Sequence, residues 1–140
     1  MNFKSHICNH IMVNGNKQTS EKLFLKSVKN VQKTENKKKL KDILKTSVIN
    51  SSPVVFLKHI KRKRRRTVEF PFLLVSKSRV SYGLKFILNN CRKSRTNSFY
   101  KKFNTELINS SKFSGLSLKK KNSLHQESFA KKKFANYRWF

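Results

Sequence analysis

The stretch from Val54 to Val75 constrains the fold most. Val54-Val55-Phe56-Leu57 is apolar and β-prone, and Lys61-Arg62-Lys63-Arg64-Arg65-Arg66 is an unbroken run of six cations. The segment Thr67-Val68-Glu69-Phe70-Pro71-Phe72-Leu73-Leu74 is apolar again, with Val68, Phe70, Phe72 and Leu74 alternating onto one face. Two strand-like runs joined by a charged tip specify a β-hairpin over about 54–75. Six adjacent cations repel one another unless an anion neutralises them, so the hairpin is expected to meet a polyanion, with the rest of the chain as its platform.

Charge supports this across the whole length. In 140 residues, 34 Lys and Arg face 6 Asp and Glu, a net +28. Self-repulsion on that scale opposes compaction, so the free protein is expected to be marginally stable and the bound one firmer. A basic surface serving solubility alone would carry interspersed acids. No apolar run approaches the ~18 residues of a spanning helix, and the cations are not gathered on one amphipathic segment, so no membrane partner is expected. Cys8 and Cys91 give no disulfide framework and suggest a reducing interior. The first fifteen residues have neither the apolar core of a signal peptide nor an Arg- and Ser-rich presequence pattern. The Lys-, Asn-, Ile- and Phe-heavy composition hints at an AT-rich coding sequence.

Helical periodicity surrounds the hairpin. Phe3, Ile7 and Ile11, with Cys8 and Met12, stripe a first helix that Asn14-Gly15-Asn16 stops. A second helix carries Leu23, Phe24, Val28 and Val31, with Thr19 or Ser20 as N-cap and Glu21 in its first turn. Lys33 to Lys39 reads as a polar loop. Leu40, Ile43, Leu44 and Val48 form a third helix, ended by Asn50-Ser51-Ser52-Pro53. Pro71 cannot donate to a ladder and makes its strand an edge or a bend. Val80, Leu84, Ile87 and Cys91 stripe a fourth helix despite Gly83. Phe99, Phe103 and Leu107, with Tyr100 and Ile108, stripe a fifth, capped near Asn97 or Ser98 and broken at Ser114-Gly115. From Lys119 onward a sixth helix has a weak apolar face of Leu124, Phe134 and Tyr137. With no internal repeat, flexible linker or composition shift, residues 1–140 are expected to form one domain. Its fold class is mainly α: a six-helix bundle with a protruding β-hairpin between helices 3 and 4.

No enzymatic constellation is predicted. Glu21, Glu35, Asp42, Glu69, Glu106 and Glu127 are scattered and mostly sit beside cations, which suits ion pairing rather than acid–base work. Three glycines build no phosphate loop and no nucleophile elbow. His6 and His10 lie one turn apart, but two ligands without a third make no structural zinc site, so no metal or other cofactor is expected. The basic clusters Lys61–Arg66, Arg92–Arg95, Lys119–Lys121 and Lys131–Lys133 have the chemistry that neutralises phosphates and releases counterions. Most aromatics fall on the apolar stripes and are assigned to the core. Tyr137 and Trp139, beside Arg138, suit stacking on bases or on the fold equally.

Several segments together resemble a known family. Phe134-Ala135-Asn136-Tyr137-Arg138-Trp139 resembles the Phe-Ala-His-Tyr-Arg-Trp ending of bacterial-type small ribosomal subunit protein seven, with Asn136 in place of histidine. Gly115, Lys119-Lys120-Lys121 and Leu124-His125 are similar to that family's Gly, basic triplet and Val-His. The run from Asn9 to Glu21 resembles its Leu-Met-x-Asp-Gly-Lys-Lys-Ser-Thr-Ala-Glu signature. Ser52-Pro53-Val54-Val55 and Val68-Glu69-Phe70-Pro71 resemble the two ends of its hairpin. The resemblance implies a helical body with a projecting hairpin, bound to the 3′ major domain of small-subunit ribosomal RNA and organising assembly of the subunit head. It further implies a hairpin near the exit-site tRNA and the messenger path, close to platform protein eleven. It implies neither enzymatic activity nor a small-molecule substrate.

The sequence departs from the family at both ends of the hairpin logic. The basic N-terminal arm is largely absent, and the family's Arg-Arg-Val-Gly-Gly tip is replaced by the six-cation run. Phe56 and Leu57 stand where an acid precedes the tip. The missing arm leaves no room for a presequence, which together with composition gives an expectation of synthesis inside an organelle. The Tyr137-Arg138-Trp139-Phe140 end points to the mitochondrion, with a plastid as the alternative. The expected rRNA-binding residues are Lys17, Lys61, Arg62, Lys63, Arg64, Arg65, Arg66, Arg79, Arg92, Lys93, Arg95, Lys119, Lys120, Lys121, Arg138 and Trp139. The competing reading is a non-specific architectural DNA- or RNA-binding protein. An enzyme acting on nucleic acid would need a carboxylate or metal centre that the sequence does not supply.

Overall fold

The computed structural model describes residues 3–35, 40–61, 67–93 and 98–137. Six α-helices and one two-stranded antiparallel sheet follow in the order α1 (Phe3–Ile11), α2 (Lys17–Thr34), α3 (Leu40–Ser51), β1 (Val55–Ile60), β2 (Val68–Leu73), α4 (Ser76–Lys93), α5 (Phe99–Ser111) and α6 (Leu116–Ala130). A 3₁₀ helix, Lys132–Tyr137, comes last. The expected mainly helical fold with a hairpin between helices 3 and 4 is what is seen.

The helical stripes close one core. Ile7, Cys8 and Ile11 of α1, Phe24 of α2, Leu44 and Val48 of α3, Leu84, Ile87, Leu88 and Cys91 of α4, and Phe103 and Leu107 of α5 form a single buried cluster. Each such side chain contributes about 1.5–3 kcal/mol by leaving water. Between the stripes, small residues let helices approach. Ser51, Ser110 and Ser117 are fully buried where α3, α5 and α6 meet, and their hydroxyls satisfy one another, Ser110 Oγ lying 2.8 Å and Ser51 Oγ 3.3 Å from Ser117 Oγ. Gly83 has the same cause: a Cβ there would meet Ser52 Oγ at 2.9 Å and the Val48 carbonyl at 3.1 Å. Helices α3 and α4 cross too closely for any side chain.

Helix ends differ from the sequence expectation in instructive ways. Helix α2 begins at Lys17, not Thr19 or Ser20. Asn16 is its N-cap, the side chain accepting from Thr19 N–H. Glu21 therefore lies in the second turn, and no acid occupies the first. Asn14 (φ 52°) and Gly15 (φ 73°) are both left-handed, and Asn16 N–H donates to the Val13 carbonyl at 3.1 Å. Asn-Gly thus builds a turn between α1 and α2, as two positive φ values with such a bond require, rather than capping α1 itself. Helix α2 runs on through Lys33 and Thr34, so the polar loop starts later than expected, and residues 36–39 lie outside the described residues.

The α5–α6 turn departs most. Helix α5 ends at Ser111; Phe113 N–H then donates to Ser110 O, and Ser114 N–H to Asn109 O at 2.9 Å. This is a Schellman closure with Phe113 in the left-handed position (φ 58°), where glycine or asparagine is usual. Such a conformation costs a bulky residue about 1–2 kcal/mol. Gly115 (φ 110°) does not end α5 but starts α6, which begins at Leu116 rather than Lys119. The N-terminus of α6 has no side-chain cap of its own. Buried Glu106 of α5 supplies the acceptor instead, taking Ser117 N–H at 2.8 Å. Helix α6 stops at Ala130, so Leu124 and Phe134 do not share one helical face as expected; Phe134 belongs to the 3₁₀ helix.

The hairpin is seated by its base. Leu74 N–H donates to the Val54 carbonyl at 3.0 Å, just beyond the ladder that pairs Val55 with Leu73 and Ile60 with Val68. Antiparallel pairs alternate between bonded and non-bonded. Leu57 opposite Pro71 and His59 opposite Glu69 therefore fall in the non-bonded class. Pro71 lacks only an N–H that would have pointed away from β1, which is why an edge strand tolerates it. Leu57 and Phe70 are buried in the middle of the ladder, and Phe56 packs on Tyr82 of α4 with ring centroids 4.4 Å apart.

Candidate nucleic-acid interface

Where the acids go decides which cations remain free. Glu106 is buried against the α6 N-terminus. Glu35 accepts from Lys112 Nζ at 2.6 Å. Glu69 holds Lys131 on one side and lies 3.1 Å from His59 Nδ1 on the other, tying the last turn of the body to the hairpin. Half of the six carboxylates thus serve the fold. With 34 Lys and Arg against 6 acids, most of the cations have no carboxylate to pair with.

The basic triplet does not act as a unit. Successive helical residues turn by about 100°, so the three side chains diverge. Lys119 is exposed; Lys120 lies over the Phe86 ring, 5.4 Å from its centroid; Lys121 turns inward and donates to the Asn50 carbonyl at 2.7 Å. That bond caps the C-terminal end of α3, where carbonyls lack helical partners and the dipole favours a cation. Burial, then repulsion from Arg79, lowers the Lys121 pKa from its ordinary value.

Arg92 also has a structural task. Its Nη2 donates to the carbonyls of His10 and Ile11, at 3.1 and 3.2 Å, closing the C-terminus of α1. Its neighbour Lys93 is exposed at the end of α4. Arg79 is half-buried beside Ile49, Ser52, Ser76 and Val80, and its Nε has no hydrogen-bond partner among the described residues. Lys17 is exposed at the first position of α2, beside a groove that Lys4, Asn9 and Glu21 also line. Lys61 is exposed where β1 ends. The remaining expected contacts, Arg62, Lys63, Arg64, Arg65, Arg66, Arg95, Arg138 and Trp139, lie outside the described residues.

The sequence gives no sign of two further roles, although Leu124-His125 stands out in it by its resemblance to the family's Val-His. His125, on α6, accepts Val54 N–H on Nε2 at 3.2 Å, so it fastens the start of the hairpin as a neutral ring. Burial, then nearby Lys121, lowers its pKa. Aromatic residues also leave the core: Phe113 and Phe129 are 77% and 71% exposed, the latter beneath Lys132 at 4.8 Å. The left-handed turn at Phe113 gives no signal in composition or periodicity. Cys8 and Cys91 are buried free thiols. Burial, then Glu106, pushes Cys91 up to about 12, which suits packing rather than reactivity. Among the described residues no cluster of three or more His, Cys, Asp or Glu could hold a metal ion, and no helix is long and apolar enough to cross a membrane.

A helical body with a net charge of +28 and a hairpin tied to α6 and Lys131 has the electrostatics of a polyanion-binding protein. Residues 2–132 match the sequence model of the family described as Ribosomal protein S7p/S5e. The chain is 30% identical over 136 residues to small ribosomal subunit protein uS7c of Euglena gracilis, covering 96% of this chain and 85% of that one. It is 29% identical over 133 residues to uS7c of Prototheca wickerhamii, covering 95% and 84%. It is 30% identical over 135 residues to uS7 of Wigglesworthia glossinidia brevipalpis, covering 96% and 85%. The chain belongs to the ribosomal protein S7p/S5e family. Its role is that of a structural protein of the small ribosomal subunit, in a family that is not one of enzymes.

Proposed function

We propose that residues 1–140 act as one domain that binds the 3′ major domain of small-subunit ribosomal RNA and organises assembly of the subunit head. The observation that carries this is the burial of Glu106 and the pairing of Glu35 and Glu69 with lysines, while Lys17, Lys61, Lys93 and Lys119 stay exposed on a net charge of +28. Phosphates are the counter-charge such a surface takes, with affinity that falls steeply with salt. The six-cation hairpin tip is an additional electrostatic anchor, placed near the exit-site tRNA and messenger path and close to platform protein eleven. Arg92, Lys120 and Lys121 contribute field more than direct contact, given their internal partners, and Arg79 adds to that field from its half-buried position. Arg138 and Trp139, outside the described residues, are proposed as further RNA contacts on the family resemblance.

The organelle divides into two readings. Composition and the Tyr-Arg-Trp-Phe end favour a mitochondrial ribosome. The uS7c relatives from Euglena gracilis and Prototheca wickerhamii favour a plastid one. Organelle fractionation followed by high-salt sucrose gradients separates them, since the protein will co-sediment with small subunits of one organelle. The RNA reading is tested by comparing a head-domain transcript with an unrelated RNA of equal length. Preference for the first is expected at a salt concentration that weakens non-specific contacts. Equal binding to both would leave only the architectural reading.

A further inference from the structure

Phe113 is the most exposed large apolar side chain among the described residues, at 77%, and it sits in a left-handed conformation at φ 58°. Burial does not repay that strain. The hydrogen bonds that hold it are backbone closures from Phe113 and Ser114 to Ser110 and Asn109, which glycine or asparagine would make with less strain. Strain kept at an unburied aromatic points to a task for the ring.

The surroundings indicate what it meets. Leu116, 58% exposed, stands beside it at the first position of α6. One turn further, Lys119 is exposed. Glu35 is neutralised by Lys112, the residue before Phe113, and Glu106 accepts Ser117 N–H beneath Gly115. The turn thus presents an exposed aromatic ring, with an exposed lysine six positions further along the chain.

We infer that Phe113 is a stacking platform for one unpaired RNA base, with Lys119 taking the adjoining phosphate. This rests on the RNA-binding reading above and adds to it a contact that reads single-stranded character rather than charge. A nucleotide fits better than a protein side chain because the chain's charge complements a polyanion, and base–aromatic stacking needs only one exposed ring. The closed turn fixes the Phe113 backbone before binding, so the main chain needs no further ordering on contact.

The test uses the 140-residue chain with Phe113→Asn and Phe113→Trp. The probes are a single-stranded oligoadenylate and a blunt RNA duplex of equal length, followed by fluorescence anisotropy over a range of salt. Asparagine tolerates the left-handed turn, so F113N is expected to unfold at the same or higher urea concentration than wild type. It should bind oligoadenylate about 5- to 150-fold more weakly, the span for one lost base–aromatic stack. Its salt slope should be unchanged, since no phosphate contact is lost, and duplex binding should match wild type because paired bases are not available. F113W should retain oligoadenylate binding. Undiminished oligoadenylate binding by F113N, equal weakening on the duplex, or a reduced salt slope would each overturn the inference. Failure of the wild type to prefer the head-domain transcript is a separate result. It bears on the ribosomal RNA reading and leaves the comparison between these variants intact.

Discussion

Removing the carboxylate of Glu106 tests the account of the α5–α6 junction most directly. Helix α6 has no cap of its own, and Ser117, whose N–H Glu106 accepts at 2.8 Å, is fully buried. Glu106→Ala therefore strands a buried donor and removes a negative charge from the positive end of a helix. A hydrogen bond to a charged group is worth about 1.5–3 kcal/mol, and the dipole interaction adds about 0.3–1 kcal/mol. The expected loss is about 2–4 kcal/mol, several degrees in Tm per kcal/mol for a chain of this size. Glu106→Gln keeps an oxygen acceptor and loses only the charge, so about 1 kcal/mol is expected. Gly115→Ala puts a Cβ 3.2 Å from Glu106 Oε1 at φ 110° and disturbs the same contact. Its effect should be smaller in an E106A background, where the backbone strain at φ 110° remains but the contact with Glu106 is gone. Urea unfolding followed by far-UV circular dichroism at fixed salt measures all three. If E106A is no less stable than E106Q, or if E106A and G115A are additive, the capping argument is wrong.

Two further outcomes follow from the cation and histidine contacts. His125 must be neutral to accept Val54 N–H, and its folded pKa is lowered. Its stabilisation is therefore complete above the unfolded value of about 6.5 and lost as pH falls through the lower folded value. The urea midpoint should drop on acidification, and His125→Gln, which accepts without titrating, should show a shallower drop; equal pH dependence would refute this. Arg92→Ala opens the end of α1 and should cost about 1 kcal/mol, whereas Lys119→Ala should leave stability within about 0.5 kcal/mol and flatten the salt dependence of RNA binding by about one slope unit. Unfolding and filter-binding curves for the pair check this, and exchanged phenotypes would contradict the assignment.

Periodicity carried the fold well because the core is made of long apolar stripes. Ile7 and Ile11, Leu84, Ile87 and Cys91, and Phe103 and Leu107 are buried at the spacings that predicted them. Termini were less legible where the determining atom lies far off in sequence. Nothing local shows that Glu106 starts α6, or that Ser52 needs a glycine at position 83. Charge was legible in total but not by residue. Lys119, Lys120 and Lys121 look equivalent in the sequence, yet helical rotation gives one to solvent, one to Phe86 and one to the end of α3. Phe113 was missed for the same reason: its exposure depends on a left-handed turn that an apolar side chain does not advertise.

The clamp at the hairpin base has a consequence for the order of events as the chain is made. Val54 reaches His125 and Asn50 reaches Lys121 across 71 residues, and Glu69 reaches Lys131 across 62. A growing chain emerges N-terminus first, so both strands exist well before any of these fasteners. Helices α1 to α5 can close most of their core in that interval, since its members end at Leu107. The hairpin should then lock last, when α6 docks along it. Premature termination after α5 is therefore expected to yield a compact body whose hairpin keeps Phe56 against Tyr82 of α4 but lacks every fastener from α6 onward.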